Sequence, residues 1–183
     1  MRLNECLSIE GNCVVFVPYK EHHVLRYNDW MQSTELQQLT ASEPLTLQQE
    51  YEMQKSWHLD ENKCTFILLL KEKWDDPECN EIDCMCGDVN LYFIDPDDSG
   101  VKTAEVEIMI AGATKLKVRR FIAKIGLQNQ PSLALFKKLG FKQESVSEVF
   151  QEVTLQLEVT EEVQHSLNLQ TNHMKYRDYK TKR

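Results

Sequence analysis

No two of the six glycines, at positions 11, 87, 100, 112, 126 and 140, lie closer than twelve residues apart. That spacing excludes a P-loop and a dinucleotide-binding fingerprint, which need clustered glycines to bring backbone N–H groups onto phosphate. Positive charge is also short: 21 Lys+Arg stand against 29 Asp+Glu, a formal net charge of -8. A general nucleic-acid binder carries the opposite balance, so no nucleic-acid partner is expected. No apolar run approaches the roughly 18 residues of a membrane span, and no membrane partner is expected either. The stretch "MRLNECLSIEGNCVVFVPYK" lacks a basic region followed by a long apolar one, so it does not read as a signal peptide. The expected location is therefore the cytoplasm or the nucleus, with the six cysteines reduced. Cys79, Cys84 and Cys86 lack the paired Cys-x2-Cys spacing of structural zinc, and no histidine lies near them. No metal is expected there.

What is present is the pattern of one α/β (α+β) domain in 183 residues. "CVVFVP" and "CTFILLL" are continuous apolar runs of buried-strand type. "MCGDVNLYFID" and "AEVEIMI" alternate, and "RRFIAKI" and "VFQEVTLQLEV" are strand-like. Between the first two runs, "EHHVLRYNDWM" spaces Val24, Tyr27 and Trp30/Met31 as a helical face, with His22 and His23 in a solvated first turn. Thr46 and Gln49 form a capping box opening a helix that carries Leu47, Tyr51, Gln54 and Trp57 near one face. "NQPSLALFKKLGF" has both helix ends written in. Asn129 or Gln130 caps it, Pro131 suits its first turn, and Lys137 and Lys138 favour its C-terminus. Gly140 supplies the left-handed stop, after which Phe141 can fold back on Phe136. The domain is expected over residues 1–165, with a polar, basic and frayed tail over 166–183.

The element order and three stretches, "NQPSLALFKKLGF", "GDVNLYF" and "AEVEIMIA", resemble the GCN5-related N-acetyltransferase (GNAT) superfamily. "TASEPLTLQQEYEMQ" and "SVFQEVTLQL" are similar to its N-acetyltransferase-9-like branch. The resemblance implies a mixed, mostly antiparallel sheet flanked by helices. It also implies transfer of acetyl from acetyl-CoA to an amine of a protein or peptide. Acetyl-CoA would lie where the fourth and fifth family strands, parallel to each other, splay apart, with backbone groups of Met109, Ile110 and Ala111 holding it. Asn129 and Ser132 match family positions near the cofactor, and Phe136 stands where many relatives carry a proton-donating tyrosine. Glu105 and Glu107 are the candidate general bases for the attacking amine; the alternative is that they form the solvated face of a strand.

One family device is missing. GNAT proteins carry a loop of the type Arg/Gln-x-x-Gly-x-Gly/Ala after the fourth strand, whose N–H groups and following helix bind the CoA pyrophosphate. Here only residues 111–118 separate the two strand-like runs, whereas a parallel crossover needs at least ~10–12 residues including its helix. The junction at Ala111–Gly112 reads as an in-frame loss of roughly 20 residues, a loop plus one helix. The fold is thus expected to lack its central crossover helix, and acetyl-CoA to bind weakly. Two further readings stay open: a non-catalytic isoform that only binds partners, and an unstable product. The acceptor and the oligomeric state are not written in the sequence.

Overall fold

The computed structural model describes residues 2–40, 42–94, 103–107 and 119–181. In chain order the strands are β1 (Leu7–Glu10), β2 (Val14–Pro18), β3 (Lys63–Leu70), β4 (Met85–Ile94), β5 (Thr103–Val106), β6 (Arg120–Gly126), β7 (Lys142–Ser147), β8 (Glu152–Glu158) and β9 (Lys175–Asp178). The helices are α1 (Val24–Met31), α2 (Thr34–Thr40), α3 (Leu47–Leu59), α4 (Lys71–Asp75), α5 (Glu81–Cys84), α6 (Gln130–Lys138) and α7 (Glu161–Thr171). The chain divides into two compact units, Met1–Asn90 with His173–Arg183, and Leu91–Asn172.

In the first unit the strands run in the order β4-β3-β2-β1-β9. β2 and β3 pair antiparallel from Val14↔Leu70 to Pro18↔Phe66. Their unbroken apolar sequences are buried on both faces, and Val15, Val17, Ile67 and Leu69 are fully excluded from solvent. Tyr19, Val24, Tyr27, Cys84 and Met85 complete this core, with Trp30, Tyr51 and Trp57 packed on it. The α3 capping box forms as expected, Thr46 Oγ1 accepting from Gln49 N and Gln49 Oε1 from Thr46 N. Tyr51, Gln54 and Trp57 of the expected face turn inward, but Leu47 is exposed and Glu50, which was not expected there, is buried.

In the second unit the order is β4-β5-β6-β8-β7. β5 and β6 are parallel, with Thr103↔Arg120, Ala104↔Phe121 and Glu105↔Ile122 in register. β6 and β8 pair antiparallel along their whole length. Phe121, Ala123, Ile125, Val153 and Leu155 are buried between them and their neighbours. α6 ends as its sequence dictates. Phe141 N donates to Phe136 O and Gly140 N to Lys137 O, the two bonds of a Schellman motif. Gly140 sits at φ +92, a left-handed conformation that glycine adopts without Cβ strain. The Phe136 and Phe141 rings then meet edge to face, 5.0 Å apart.

The mixed, mostly antiparallel sheet flanked by helices is therefore present. Three expectations need correction. The last long strand starts at Glu152, three residues later than "VFQ" suggested, because Gln151 takes φ 53 in a turn that leaves Val149 and Phe150 exposed. The boundary expected at residue 165 falls inside α7. The tail does not fray: β9 pairs with β1 from Leu7↔Asp178 to Glu10↔Lys175, tied by the Arg177–Glu10 ion pair. The expected loss of the crossover helix, with Met109, Ile110, Ala111 and the junction at Gly112, lies outside the described residues.

Candidate functional site

The candidate carboxylates lie on and just past β5, the strand that pairs parallel with β6. Glu105, inside β5, accepts from Lys124 Nζ on β6 at 2.8 Å. Register explains the meeting: Glu105 pairs with Ile122, so the side chain two residues further along β6 projects from the same face. Glu107 lies just past the end of β5, not within a continuing strand, and accepts from the Tyr92 hydroxyl at 3.4 Å. Tyr92 in turn is the cross-strand partner of Glu105 in the β4–β5 pairing.

Asn129 and Ser132 are brought together by α6. Asn129 is its N-cap, and its Oδ1 accepts from Ser132 N at 3.2 Å. That oxygen is thereby used to satisfy a helix N-terminal N–H. Phe136, one turn on, is buried against Phe141. Lys124 and Tyr92 escaped the sequence reading, because contacts across strands depend on register and no local pattern fixes that register.

The sequence reading also missed a cluster in the first unit. His23, expected in a solvated turn, is fully buried, and its Nε2 lies 2.8 Å from Glu81 Oε1. The same oxygen accepts from the Tyr179 hydroxyl at 2.7 Å and lies 3.3 Å from His22 Nε2. These are the only three His, Cys, Asp or Glu side chains among the described residues with metal-ligand spacing. The hydrogen bonds argue against a metal. His23 Nδ1 accepts from the Lys20 N–H at 3.0 Å, so the proton of the neutral ring resides on Nε2 and points at Glu81. A histidine that ligates a metal arranges its two nitrogens the other way, donating from the nitrogen that is not bound. Burial holds His23 below its usual range, with the Glu81 hydrogen bond opposing that shift. The cluster is a neutral-donor clamp that fixes a buried carboxylate and fastens the chain end to α5. The one sequence signal for it was the Lys20-x-x-His23 spacing, which has the form of a capping box.

No family model matches the chain. It is 54% identical to an N-acetyltransferase 9-like protein of Nematostella vectensis over 178 residues, covering 86% of this chain and 89% of that one. It is 48% identical to an alpha/beta-tubulin-N-acetyltransferase 9 of Mus musculus over 204 residues, covering 100% of this chain and 84% of that one. The Homo sapiens protein of the same name is 46% identical over 202 residues, covering 98% and 97%. Among solved structures, a spermidine N-acetyltransferase of Vibrio cholerae with CoA and spermine shares the fold at TM-score 0.61 and 13% identity, covering 81% and 96%. A ribosomal L7/L12 alpha-N-protein acetyltransferase with coenzyme A does so at 0.60 and 13%, with the same coverage. The parallel pair, the Leu-Gly-Phe helix end and this identity along the chain lead to one conclusion: the chain belongs to the N-acetyltransferase 9-like family of acetyl-CoA-dependent acetyltransferases with the GNAT fold.

Proposed function

We propose that this chain is built to acetylate an amine of a protein, with Glu105 or Glu107 as the general base, and that it holds acetyl-CoA weakly in its present form. The reading of a protein acceptor is carried by the 48% identity, over the whole chain, to a mouse relative named for α- and β-tubulin. In the reaction the deprotonated amine attacks the thioester carbon, a C–N bond forms, the C–S bond breaks, and the departing thiolate takes up a proton. Lys124 holds the Glu105 carboxylate at 2.8 Å, and the Tyr92 hydroxyl is one donor to Glu107, at 3.4 Å. Phe136 has no hydroxyl and packs into the core, so the thiolate's proton comes from water or another group.

Weak cofactor binding is supported by a length mismatch. The match to the mouse protein spans 204 residues while this chain has 183, so at least 21 positions of that match have no counterpart here. That is the size of the loop and helix expected at Ala111–Gly112. Losing several charge-assisted bonds to the pyrophosphate, each worth about 1.5–3 kcal/mol, weakens acetyl-CoA by orders of magnitude. A chain folded without acetyl-CoA affinity would serve as a partner-binding isoform, and the complete core of the first unit favours folding. Inserting the mouse protein's extra residues between Ala111 and Gly112 tests the whole reading. The repaired chain should bind acetyl-CoA and acetylate purified tubulin, and one of Glu105→Gln and Glu107→Gln in it should cut turnover at least a hundredfold. Losses under tenfold from both substitutions would refute a base on this strand.

A further inference from the structure

The second unit has a hollow that the acetyl-transfer step does not use. Where β6 begins and β8 ends, Arg119, Arg120, Glu158, Val159 and Thr160 line an open space of about 250 Å³. Backbone pairing builds it. Arg120 stands in register with Thr103 on β5 and with Glu158 on β8, and Val159 N donates to the Arg119 carbonyl at 2.8 Å. Thr160 is held as the N-cap of α7, its Oγ1 accepting from Val163 N at 3.3 Å. Arg120 and Glu158 are direct cross-strand neighbours, yet among the described residues neither forms an ion pair, and Arg119 forms none. Two guanidinium groups thus line one hollow without a protein partner, each a planar fork of N–H donors that matches a carboxylate. Register ties this hollow to the candidate bases. Glu105 pairs with Ile122, two residues beyond Arg120, so Arg120 and Glu105 project from the same face of the sheet. Their Cα atoms are about 8 Å apart, one strand spacing of about 4.8 Å across and two residues of about 3.3 Å each along. Ile122 between them is only half-buried and Lys124 is exposed, so the face stays open along this path.

We propose that this hollow receives an acidic side chain of the acceptor polypeptide, two or three residues from the amine to be acetylated. An extended polypeptide advances about 3.3 Å per residue, so two or three residues span the distance from Glu105 to Arg120. The hollow lies at the starting end of the parallel pair, whereas Met109, Ile110 and Ala111, expected to hold acetyl-CoA, follow β5 in sequence. Acceptor and thioester would therefore approach the base from opposite ends. Glu158 beside the arginines disfavours a phosphate dianion more than a single carboxylate. The identity of the ligand as an acceptor rests on the reading of Glu105 or Glu107 as the base; capture of a carboxylate by the two arginines does not.

Fluorescence anisotropy tests the site on the intact chain without acetyl-CoA. The probes are three C-terminally labelled peptides with a free N-terminal amine and otherwise neutral side chains. The first has a single glutamate at its third position, the second has glutamine there, and the third has its glutamate at the ninth. The first should bind at least tenfold more tightly than the other two, as a bidentate charge-assisted contact requires. Arg120→Gln should abolish that preference, and Arg119→Gln should reduce it several-fold. Equal binding of the glutamate and glutamine peptides by the unsubstituted chain, or binding of neither, would overturn the proposal even if a variant fails to fold. Equal binding of the third-position and ninth-position peptides would overturn it too, because the site would then not be in register with the amine. A preference that survives Arg120→Gln would do the same. Failure of the repaired chain to acetylate tubulin, with the glutamate preference intact, would refute the proposed function and leave the carboxylate site standing.

Discussion

Replacing His23 with alanine should cost the first unit a large share of its stability. The side chain is fully buried, donates from Nε2 to Glu81 at 2.8 Å and accepts at Nδ1 from Lys20 N at 3.0 Å. Alanine removes both bonds, leaves Glu81 with the Tyr179 and His22 donors, and opens a void beside Tyr19, whose ring stacks 6.3 Å away. A hydrogen bond to a carboxylate contributes about 1.5–3 kcal/mol and a neutral one about 0.5–1.5. Lost packing adds roughly 1–2 kcal/mol. The sum is about 3–6 kcal/mol, out of a typical total of about 5–15. At about 2–4 °C per kcal/mol for a chain of this size, melting falls by roughly 6–24 °C. Urea titration at pH 7.5 measures the loss directly.

The same residue sets the sign of a pH effect. Its folded pKa lies below the unfolded value of 6.5, so below that pH the unfolded chain binds more protons and stability declines. At about 1.4 kcal/mol per pH unit, the native chain loses up to about 2 kcal/mol on this account between pH 6.5 and 5. The alanine variant lacks the group, so the gap between the two proteins should narrow on acidification. A loss under 1 kcal/mol at pH 7.5, or a gap that widens toward pH 5, would refute this account of the clamp.

Tyr179→Phe removes the 2.7 Å bond to Glu81 and should cost about 1–3 kcal/mol, with hydrogen exchange accelerating in β9 ahead of β2 and β3. Exchange unchanged in β9 would mean that backbone pairing alone holds the strand. Phe136→Ala deletes a buried ring facing Phe141 and should cost about 3–5 kcal/mol by chemical denaturation. Phe136→Tyr should destabilise by about 1–3 kcal/mol, because its hydroxyl enters an apolar site, and should not speed acetyl transfer by the repaired chain. Burial pushes the Cys64 thiol up to about 12, so at pH 8 Cys64 should resist a thiol reagent that labels exposed Cys6 and Cys13 within minutes.

Much of the fold was legible because local signals agreed with it. The Thr46–Gln49 box and the Phe136–Gly140–Phe141 stop came out as written, since each needs only neighbours in sequence. The short polar strands did not. β7 ("KQESVS") and β9 ("KYRD") are almost entirely exposed and have no apolar alternation to announce them; pairing to a partner strand creates them. Gln54 was placed on the inward face of α3 with Tyr51 and Trp57, but buried Glu50 was not singled out, because a polar residue carries no mark of burial until its neighbours are known. For the same reason the sequence pointed to Glu105 and Glu107 but not to Lys124 and Tyr92, which donate to them across strands. His23 shows the limit most clearly. It is a titratable residue made structural by a carboxylate 58 positions away.

The central claim is that the chain keeps the acetyltransferase fold while lacking tight hold on its cofactor. Calorimetric titration of the folded chain with acetyl-CoA tests it most directly, with the repaired chain in parallel. The account predicts no saturable heat for the native chain up to millimolar acetyl-CoA and micromolar binding after repair. Micromolar binding by the unrepaired chain would contradict it.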